Sequence, residues 1–145
     1  MYNVVKMNKF LLTKPFPNLM IRITVGIIFL SEGIQKFLYP EDLGPGRFAK
    51  LGINPPVFWS NFTGSFEIVC SLFVIIGLFT RLAVIPLLII MIVAFITTKW
   101  PEFLTKGFWP MVHDGRTDFA MTMLLIFLLI YGSGNRSADI ARHAK

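Results

Sequence analysis

Two long apolar runs in this chain are separated by only two residues, Thr80 and Arg81. The run before them covers about residues 57–79 and the run after them about residues 82–98. Each is close to the length of about 20 residues that a helix needs to cross a bilayer. Because two residues leave no room for a longer connection, the helices must form a tight antiparallel hairpin. No other feature of the sequence restricts the fold as much.

Two further apolar runs, at about 17–38 and 114–131, complete a set of four candidate membrane helices. Of the 145 residues, 54% are apolar and only 15% are charged, whereas a soluble domain carries about 25% charged residues. Disorder is excluded because disordered chains are poor in aromatic residues, and this chain has 15 phenylalanines. The sequence therefore predicts an all-α fold, an integral membrane four-helix bundle over residues 17–139, with a basic N-terminal segment at 1–16 and a tail at 140–145.

The distribution of basic residues predicts the orientation of the bundle. Loops on the cytoplasmic side of a membrane are enriched in Lys and Arg. Seven basic residues lie on the side of both termini: Lys6, Lys9, Lys14, Arg81, Arg136, Arg142 and Lys145. The opposite side has fewer basic residues and several acidic ones, so we expect both termini to be cytoplasmic. The net charge of +6 does not indicate nucleic-acid binding, because the basic residues form no patch.

Charged residues inside the apolar runs are the candidate functional residues. A charge at the bilayer centre costs about 2.5–3.5 kcal/mol on insertion scales, so such residues face the bundle interior and pair. Glu32 and Lys36 are four residues apart in the first run and can pair along the helix, and Glu67 lies in the second run. We expect Glu32, Lys36 and Glu67 to form one cluster in the outer half of the bundle and assign them as candidate catalytic residues.

The same cluster permits two interpretations. It either locks the helices in register, or it handles protons or binds a ligand. Arg22 in the first run, Asp118 in the fourth run and His113 just before that run are candidate cofactor-binding residues. His113 on its own is also typical of a residue at the membrane interface.

Several kinds of chemistry have no candidate residues in the sequence. Neither histidine lies deep within an apolar run, so no axial ligand for haem is expected there. Clustered Cys and His residues that would bind zinc are absent, and no strand precedes a glycine-rich loop for a nucleotide phosphate. The single cysteine, Cys70, rules out a disulfide within the chain. We therefore expect no haem, metal or nucleotide.

Four groups of residues form ordered motifs along the chain. The first apolar run carries Arg22, Gly26, Phe29, Gly33 and Lys36. The second carries Glu67, and the hairpin turn carries Gly77, Thr80 and Arg81. Asp118 stands near the start of the last run, which is followed by Gly132, Gly134, Ser137 and Asp139. In order and spacing this set resembles the motifs of the DoxX family over residues 17–139.

The resemblance implies a four-helix protein of the bacterial inner membrane with both termini in the cytoplasm. Some members of the family are subunits of quinone-linked oxidoreductases and others are linked to thiol redox or oxidative-stress complexes. We therefore expect a subunit of a quinone-linked redox complex, with quinone as the implied cofactor and a redox protein as the implied partner. The alternative is a non-catalytic membrane scaffold or assembly factor that docks a partner protein. The sequence leaves the oligomeric state open.

Overall fold

The computed structural model describes residues 16–134 of the chain. The expectations for the basic N-terminal segment, for Ser137 and Asp139 and for the C-terminal tail lie outside these residues. Every regular element in the described part is helical. The helices are α1 (Phe16–Leu38), α2 (Pro45–Lys50), α3 (Pro56–Ile76), α4 (Thr80–Ala94), α5 (Trp100–Lys106), α6 (Phe108–Asp114) and α7 (Arg116–Tyr131), with a π-helical segment at Phe95–Lys99 between α4 and α5.

The four long helices form an antiparallel bundle in which each packs against two others. Helix α1 contacts α3 and α7, and α4 also contacts α3 and α7. The helices meet through apolar side chains that are almost completely buried: Val25, Phe29, Cys70, Val74, Ala83, Val84, Leu87, Met121, Leu125 and Leu128. This arrangement confirms the predicted all-α four-helix bundle.

The turn between α3 and α4 has the geometry that the two-residue separation requires. Helix α3 ends at Gly77, which adopts a left-handed conformation (φ 76°) and donates hydrogen bonds from its N–H to the carbonyls of Phe73 and Val74. Glycine is the usual residue at this position because it has no Cβ to clash. Phe79 is also left-handed (φ 48°) and directly precedes α4. We call the end of the bundle with this turn the turn end.

The opposite end of the bundle, which we call the α2 end, carries a compact connection between α1 and α3. Helix α2 packs against α3, and Gly44 lies directly on the carbonyl of Lys36 and on Pro40. Because a side chain at position 44 would collide with this backbone, the glycine allows the connection to fold back over the end of α1. The segment 39–56 connects the first two apolar runs of the sequence, and the structure shows that it contains the short helix α2.

The segment 99–113, which lies between the third and fourth apolar runs of the sequence, is mostly helical. The third long helix continues through the π-helical segment into α5, so helical structure extends without interruption from Thr80 to Lys106, and α6 follows after Gly107. Pro101 does not end the helix because a local π adjustment can re-satisfy backbone groups near a proline. The hydroxyls of Thr97 and Thr98 donate to the carbonyls of Val93 and Ala94 in the same region.

Two of the helices are long and apolar enough to cross a membrane, Pro56–Ile76 and Thr80–Lys106. Helix α1 is long enough, with 23 residues, but it is less apolar because it carries Arg22, Glu32 and Lys36. Helix α7 has 16 residues, fewer than the about 20 that a spanning helix needs. The continuous helix from Thr80 to Lys106 has 27 residues. At about 1.5 Å per residue its length is roughly 40 Å, which exceeds the hydrocarbon thickness of about 30 Å.

Candidate functional site

Helices α1 and α3 are in close contact at two glycines. A Cβ atom on Gly33 would lie 2.8 Å from the carbonyl oxygen of Gly64, and a Cβ on Gly64 would lie 2.9 Å from the ring of Phe37. Small residues let membrane helices pack backbone to backbone. The close approach brings the last turn of α1, with Lys36, over the middle of α3, where Glu67 lies.

The central feature of the site is a buried ion pair between these two helices. Nζ of Lys36 donates a hydrogen bond to Oε2 of Glu67 at 2.6 Å. The two side chains are only 12% and 4% exposed. A charge-assisted bond of this length is among the strong hydrogen bonds of proteins. Each charge therefore compensates the other away from water, as the sequence pattern predicted for charged residues within the apolar runs.

Glu32 and Arg47 lie around this ion pair without joining it. Glu32 is exposed on α1, and Lys36 reaches across to Glu67 instead of pairing with Glu32 along the helix. Arg47 is exposed on α2. Both are close enough for their charges to act on the Glu67 carboxylate. The expected three-residue cluster is thus a tight pair of Lys36 and Glu67 with Glu32 at its edge, and Arg47 is an addition that sequence spacing did not indicate.

Arg22 lies at the turn end of the bundle, away from the ion pair. It precedes Lys36 by 14 residues, which corresponds to about 21 Å along the helix axis. Its side chain is 2% exposed, and it donates hydrogen bonds to the carbonyls of Val74, Ile75 and Ser133. Val74 and Ile75 are in the last turn of α3, where carbonyls lack their regular helical partner four residues further on. The contacts of Arg22 are those of a residue that ties helix ends together.

Asp118 takes part in a second polar cluster at the α2 end. Nζ of Lys99 lies 3.6 Å from Oδ2 of Asp118 and 3.9 Å from Oε2 of Glu102, and it donates to the carbonyl of Asp114 at 3.0 Å. The cluster connects the π-helical segment, α5 and the start of α7. Lys99 and Glu102 were not among the predicted site residues, because both lie outside the four apolar runs of the sequence.

His113 is exposed near the end of α6 and lies beside Arg116. Nη1 of Arg116 lies 2.8 Å from Nε2 of His113 and also donates a hydrogen bond to the carbonyl of His113 at 3.0 Å. Within residues 16–134, no three His, Cys, Asp or Glu side chains lie close enough to hold a metal ion together. His113, Asp118 and Arg22 take part in three sets of contacts that are separate from the Lys36–Glu67 pair.

An apolar groove of about 320 Å³ runs between α3 and α4. Its lining residues are Ser65, Phe66, Val69, Cys70, Phe73, Phe79, Leu82, Ala83 and Pro86. Glu67 lies on the other side of α3, against α1, and none of the predicted catalytic residues lines the groove. A hydrocarbon ligand in this groove would not touch the ion pair.

An all-helical bundle with membrane-spanning apolar helices and an ion pair buried between two of them is a polytopic membrane protein. A family model described as DoxX matches residues 18–100, and the chain belongs to the DoxX family. It is 50% identical over 125 residues to a protein of Mycobacterium tuberculosis described as an uncharacterized membrane protein, an alignment that covers 82% of this chain and 77% of that protein.

The chain is also similar to a second bacterial protein. It is 29% identical over 129 residues to an uncharacterized protein of Haemophilus influenzae, with 87% of this chain and 90% of that protein covered. No solved structure matches the chain. The family match confirms the resemblance drawn from the motifs and the assignment of the chain to membrane proteins.

Proposed function

We propose that this protein is a membrane subunit of a quinone-linked redox complex and that its Lys36–Glu67 pair passes protons. The observation that carries the proposal is the burial of this ion pair between α1 and α3. Ionisable groups inside membrane helices are costly and commonly mark proton or substrate pathways. The α3–α4 groove lies on another side of α3, so the proposal assigns proton transfer, and not quinone binding, to the pair.

Reduction of a quinone to a quinol takes up two electrons and two protons. A redox protein in the same complex supplies the electrons. The Glu67 carboxylate takes up a proton from the aqueous phase at the α2 end and releases it towards the quinone, while Lys36 remains positively charged throughout. The pair thus changes its net charge by one with each proton, and it is neutral between transfers.

Replacement of the carboxylate by an amide tests this proposal. Glu67→Gln keeps the shape of the side chain and a hydrogen-bond acceptor for Lys36 but cannot exchange a proton. We expect the rate of quinone reduction in membranes from cells carrying this variant to fall by about 10²-fold, the lower end of the effect of a general acid or base. The amide also removes the counter-charge of the buried Lys36, which costs stability, so the rate is expressed per amount of folded protein.

A matched control is Glu41→Gln, which removes an exposed carboxylate in the connection between α1 and α2 and should leave the rate unchanged. The quinol-to-quinone ratio of extracted membranes provides the readout. Full activity of folded Glu67→Gln would refute proton transfer and leave the ion pair as a structural lock.

The alternative, a scaffold that docks a partner protein, is favoured by a different observation. Helices α5 and α6 expose large apolar side chains, including Trp100, Leu104, Phe108 and Trp109, and Trp109 is 77% exposed. The charged side chains of Lys99 and Glu102 are instead only 15% and 12% exposed. For a scaffold, Trp109→Ser should abolish assembly of the complex, and folded Glu67→Gln should keep the normal rate of quinone reduction. For a proton-passing subunit, folded Glu67→Gln should lose this rate, and Trp109→Ser should leave the complex assembled.

A further inference from the structure

Glu32 is an exposed residue at the depth of the middle of the bundle. A Cβ atom on its neighbour Gly33 would lie 2.8 Å from the carbonyl oxygen of Gly64 and 3.0 Å from Cβ of Glu67. Gly64 and Glu67 are the ninth and twelfth of the 21 residues of α3, a helix long enough to cross a membrane. Glu32 precedes Gly33 and therefore lies about 1.5 Å further from the α2 end. Its side chain is thus attached near the midpoint of a membrane span.

No group within residues 16–134 compensates the charge of this carboxylate directly. Glu32 takes part in no ion pair and in no hydrogen bond there. The two basic residues of α1 are engaged elsewhere, Lys36 with Glu67 and Arg22 with carbonyls at the turn end. Charges inside a membrane are costly and are almost always paired or turned towards the bundle interior. Glu32 therefore requires a cation from outside this part of the chain.

A row of polar side chains on α1 lies beside Glu32. Thr24, Ser31 and Gln35 are separated by seven and four residues, which places them on one face of the helix. Thr24 and Ser31 are exposed, and Nε2 of the partly buried Gln35 donates to Oγ of Ser31 at 2.8 Å. The eleven-residue separation of Thr24 and Gln35 corresponds to about 16 Å along the helix. We call Thr24, Ser31, Glu32 and Gln35 the α1 polar face.

The row of Thr24, Ser31 and Gln35 lies on the side of α1 away from α3. Gly26 and Gly33 pack against α3, and Gln35 and Thr24 are each nine residues from one of these glycines. Nine residues are two and a half turns of a helix, which is half a circle around its axis. The neighbouring exposed residues of α1 are apolar: Ile23, Ile27 and Ile34. Because lipid offers no hydrogen-bond donor or acceptor, the polar row is suited to contact with another helix.

A second copy of this chain does not supply the missing cation. A two-fold contact brings the same surface of both copies together, so the two Glu32 carboxylates would approach each other. Exposed basic residues such as Arg47, Lys50 and Arg81 lie at the ends of the bundle and not at this depth. A membrane helix of another protein that carries Lys or Arg near its middle has the complementary charge.

We propose that the α1 polar face binds a transmembrane helix of a different protein and that a Lys or Arg near the middle of that helix pairs with Glu32. Small polar residues such as Ser and Thr allow close approach of membrane helices, and their hydroxyls form hydrogen bonds between them. The inference goes beyond the proposed proton transfer and does not depend on it. Glu32 binds the partner helix, and the Lys36–Glu67 pair remains a separate site.

A synthetic membrane helix tests the charge pairing. Two single-span peptides of Leu and Ala differ only at the central residue, which is Lys in one and Leu in the other. Energy transfer from the donor-labelled full-length protein to the acceptor-labelled peptide in phosphatidylcholine vesicles gives the dissociation constants. We expect the Lys peptide to bind about tenfold more tightly or better, the effect of one close charge pair. Equal dissociation constants for the two peptides would overturn the proposal.

Glu32→Gln identifies the residue that pairs with the peptide. Because Glu32 is exposed and has no ion pair, this variant should fold with the melting temperature of the unchanged protein. It should lose the preference for the Lys peptide and bind the Leu peptide as before. Glu41→Gln, which also removes an exposed carboxylate, should keep the preference. A preference that survives Glu32→Gln would place the contact elsewhere and contradict the proposal.

Photo-crosslinking in native membranes tests for the natural partner. p-Benzoylphenylalanine replaces Ser31 on the α1 polar face or Ile89 on α4, which is 55% exposed. We expect position 31 to form an adduct with a membrane span that contains Lys or Arg, and position 89 to form no protein adduct. The absence of an adduct at position 31, or an adduct with a second copy of this chain, would refute the assignment.

A thiol reagent tests whether water covers the α1 polar face instead of a helix. With Cys70→Ala as background, Ser31→Cys should remain unmodified when intact cells are treated with a charged methanethiosulfonate reagent. Arg47→Cys at the α2 end is the exposed reference. Reaction of Ser31→Cys as fast as Arg47→Cys would show that the face borders water and would overturn the proposal.

The outcomes separate this inference from the proposed function. If the Lys peptide binds more tightly through Glu32 and folded Glu67→Gln is fully active, the helix-binding face stands and proton transfer is refuted. If the two peptides bind equally while folded Glu67→Gln is inactive, proton transfer stands and helix binding at Glu32 is refuted.

Discussion

Gly33 of α1 faces Gly64 of α3 so closely that a Cβ atom on Gly33 would lie 2.8 Å from the Gly64 carbonyl oxygen. It would also lie 2.9 Å from Cγ1 of Ile68 and 3.0 Å from Cβ of Glu67. One of these contacts is with the backbone carbonyl of Gly64, and backbone cannot rotate aside as a side chain can. The register between α1 and α3, and with it the Lys36–Glu67 bond, therefore depends on the absence of a side chain at position 33.

The first prediction follows from this contact. Gly33→Leu should lower the free energy of unfolding by about 1–3 kcal/mol or more, the usual cost of overpacking. Thermal unfolding in detergent provides the measurement. The control is Ile89→Phe on α4, where the side chain is 55% exposed and should accept the larger group with little change. Equal melting temperatures for the two variants would contradict the assigned helix contact.

The second prediction concerns the ion pair. Lys36→Ala leaves the Glu67 carboxylate buried without its partner and should lower the free energy of unfolding by about 3–5 kcal/mol. The double variant Lys36→Met with Glu67→Met should recover most of this loss, because it buries no charge. Unfolding in a denaturing detergent gives the free energies, and Lys50→Ala on the exposed face of α2 is the control. If Lys36→Ala is as stable as Lys50→Ala, the pair is not buried in the membrane.

The third prediction assigns a structural role to Arg22. Arg22→Lys keeps the charge but loses the planar fork that donates to three carbonyls from two helix ends, so the free energy of unfolding should fall by about 1.5–3 kcal/mol or more. The control is Arg116→Lys on the surface, where the expected change is about 1 kcal/mol or less. A silent Arg22→Lys variant would show that the carbonyls of Val74, Ile75 and Ser133 do not need the guanidinium.

The fourth prediction concerns sidedness. Arg47 on α2 and Lys106 at the end of α5 lie at the same end of the bundle, and Arg81 lies at the other. With Cys70→Ala as background, Arg47→Cys and Lys106→Cys should both react with a membrane-impermeant thiol reagent added to intact cells, and Arg81→Cys should react only after lysis. Reaction of Arg81→Cys in intact cells would reverse the orientation deduced from the basic residues.

Most of the bundle was predictable because its signals are local. The run lengths gave α1 and α3 to within a few residues, and the two-residue separation at Thr80 and Arg81 gave the hairpin. The extension of the third helix to Lys106 was not predictable in this way. Lys99, Trp100 and Pro101 together indicate the end of a span, and only the π-helical segment before them lets the helix continue.

The candidate site was predictable in its residue types but not in its pairing. Glu32 and Lys36 have the spacing of an intrahelical pair, and Glu67 offered Lys36 a second partner on another helix. The choice between them depends on the distance between α1 and α3, which Gly33 and Gly64 reduce to backbone contact. Because that distance is a property of the packed bundle, no spacing within α1 could reveal that Lys36 bonds to Glu67 and that Glu32 remains exposed.

The sequence by itself determined the membrane class of the protein, its helical composition, its family and the residues that have to be compensated inside the bilayer. Hydrophobic length and charge are properties of single segments, so they do not depend on how the helices pack. The tertiary structure decided which charges meet, which carboxylate lacks a partner and where Arg22 binds. Those relationships join residues that are 31 to 111 positions apart in the chain, and only the packing of the helices brings them within hydrogen-bonding distance.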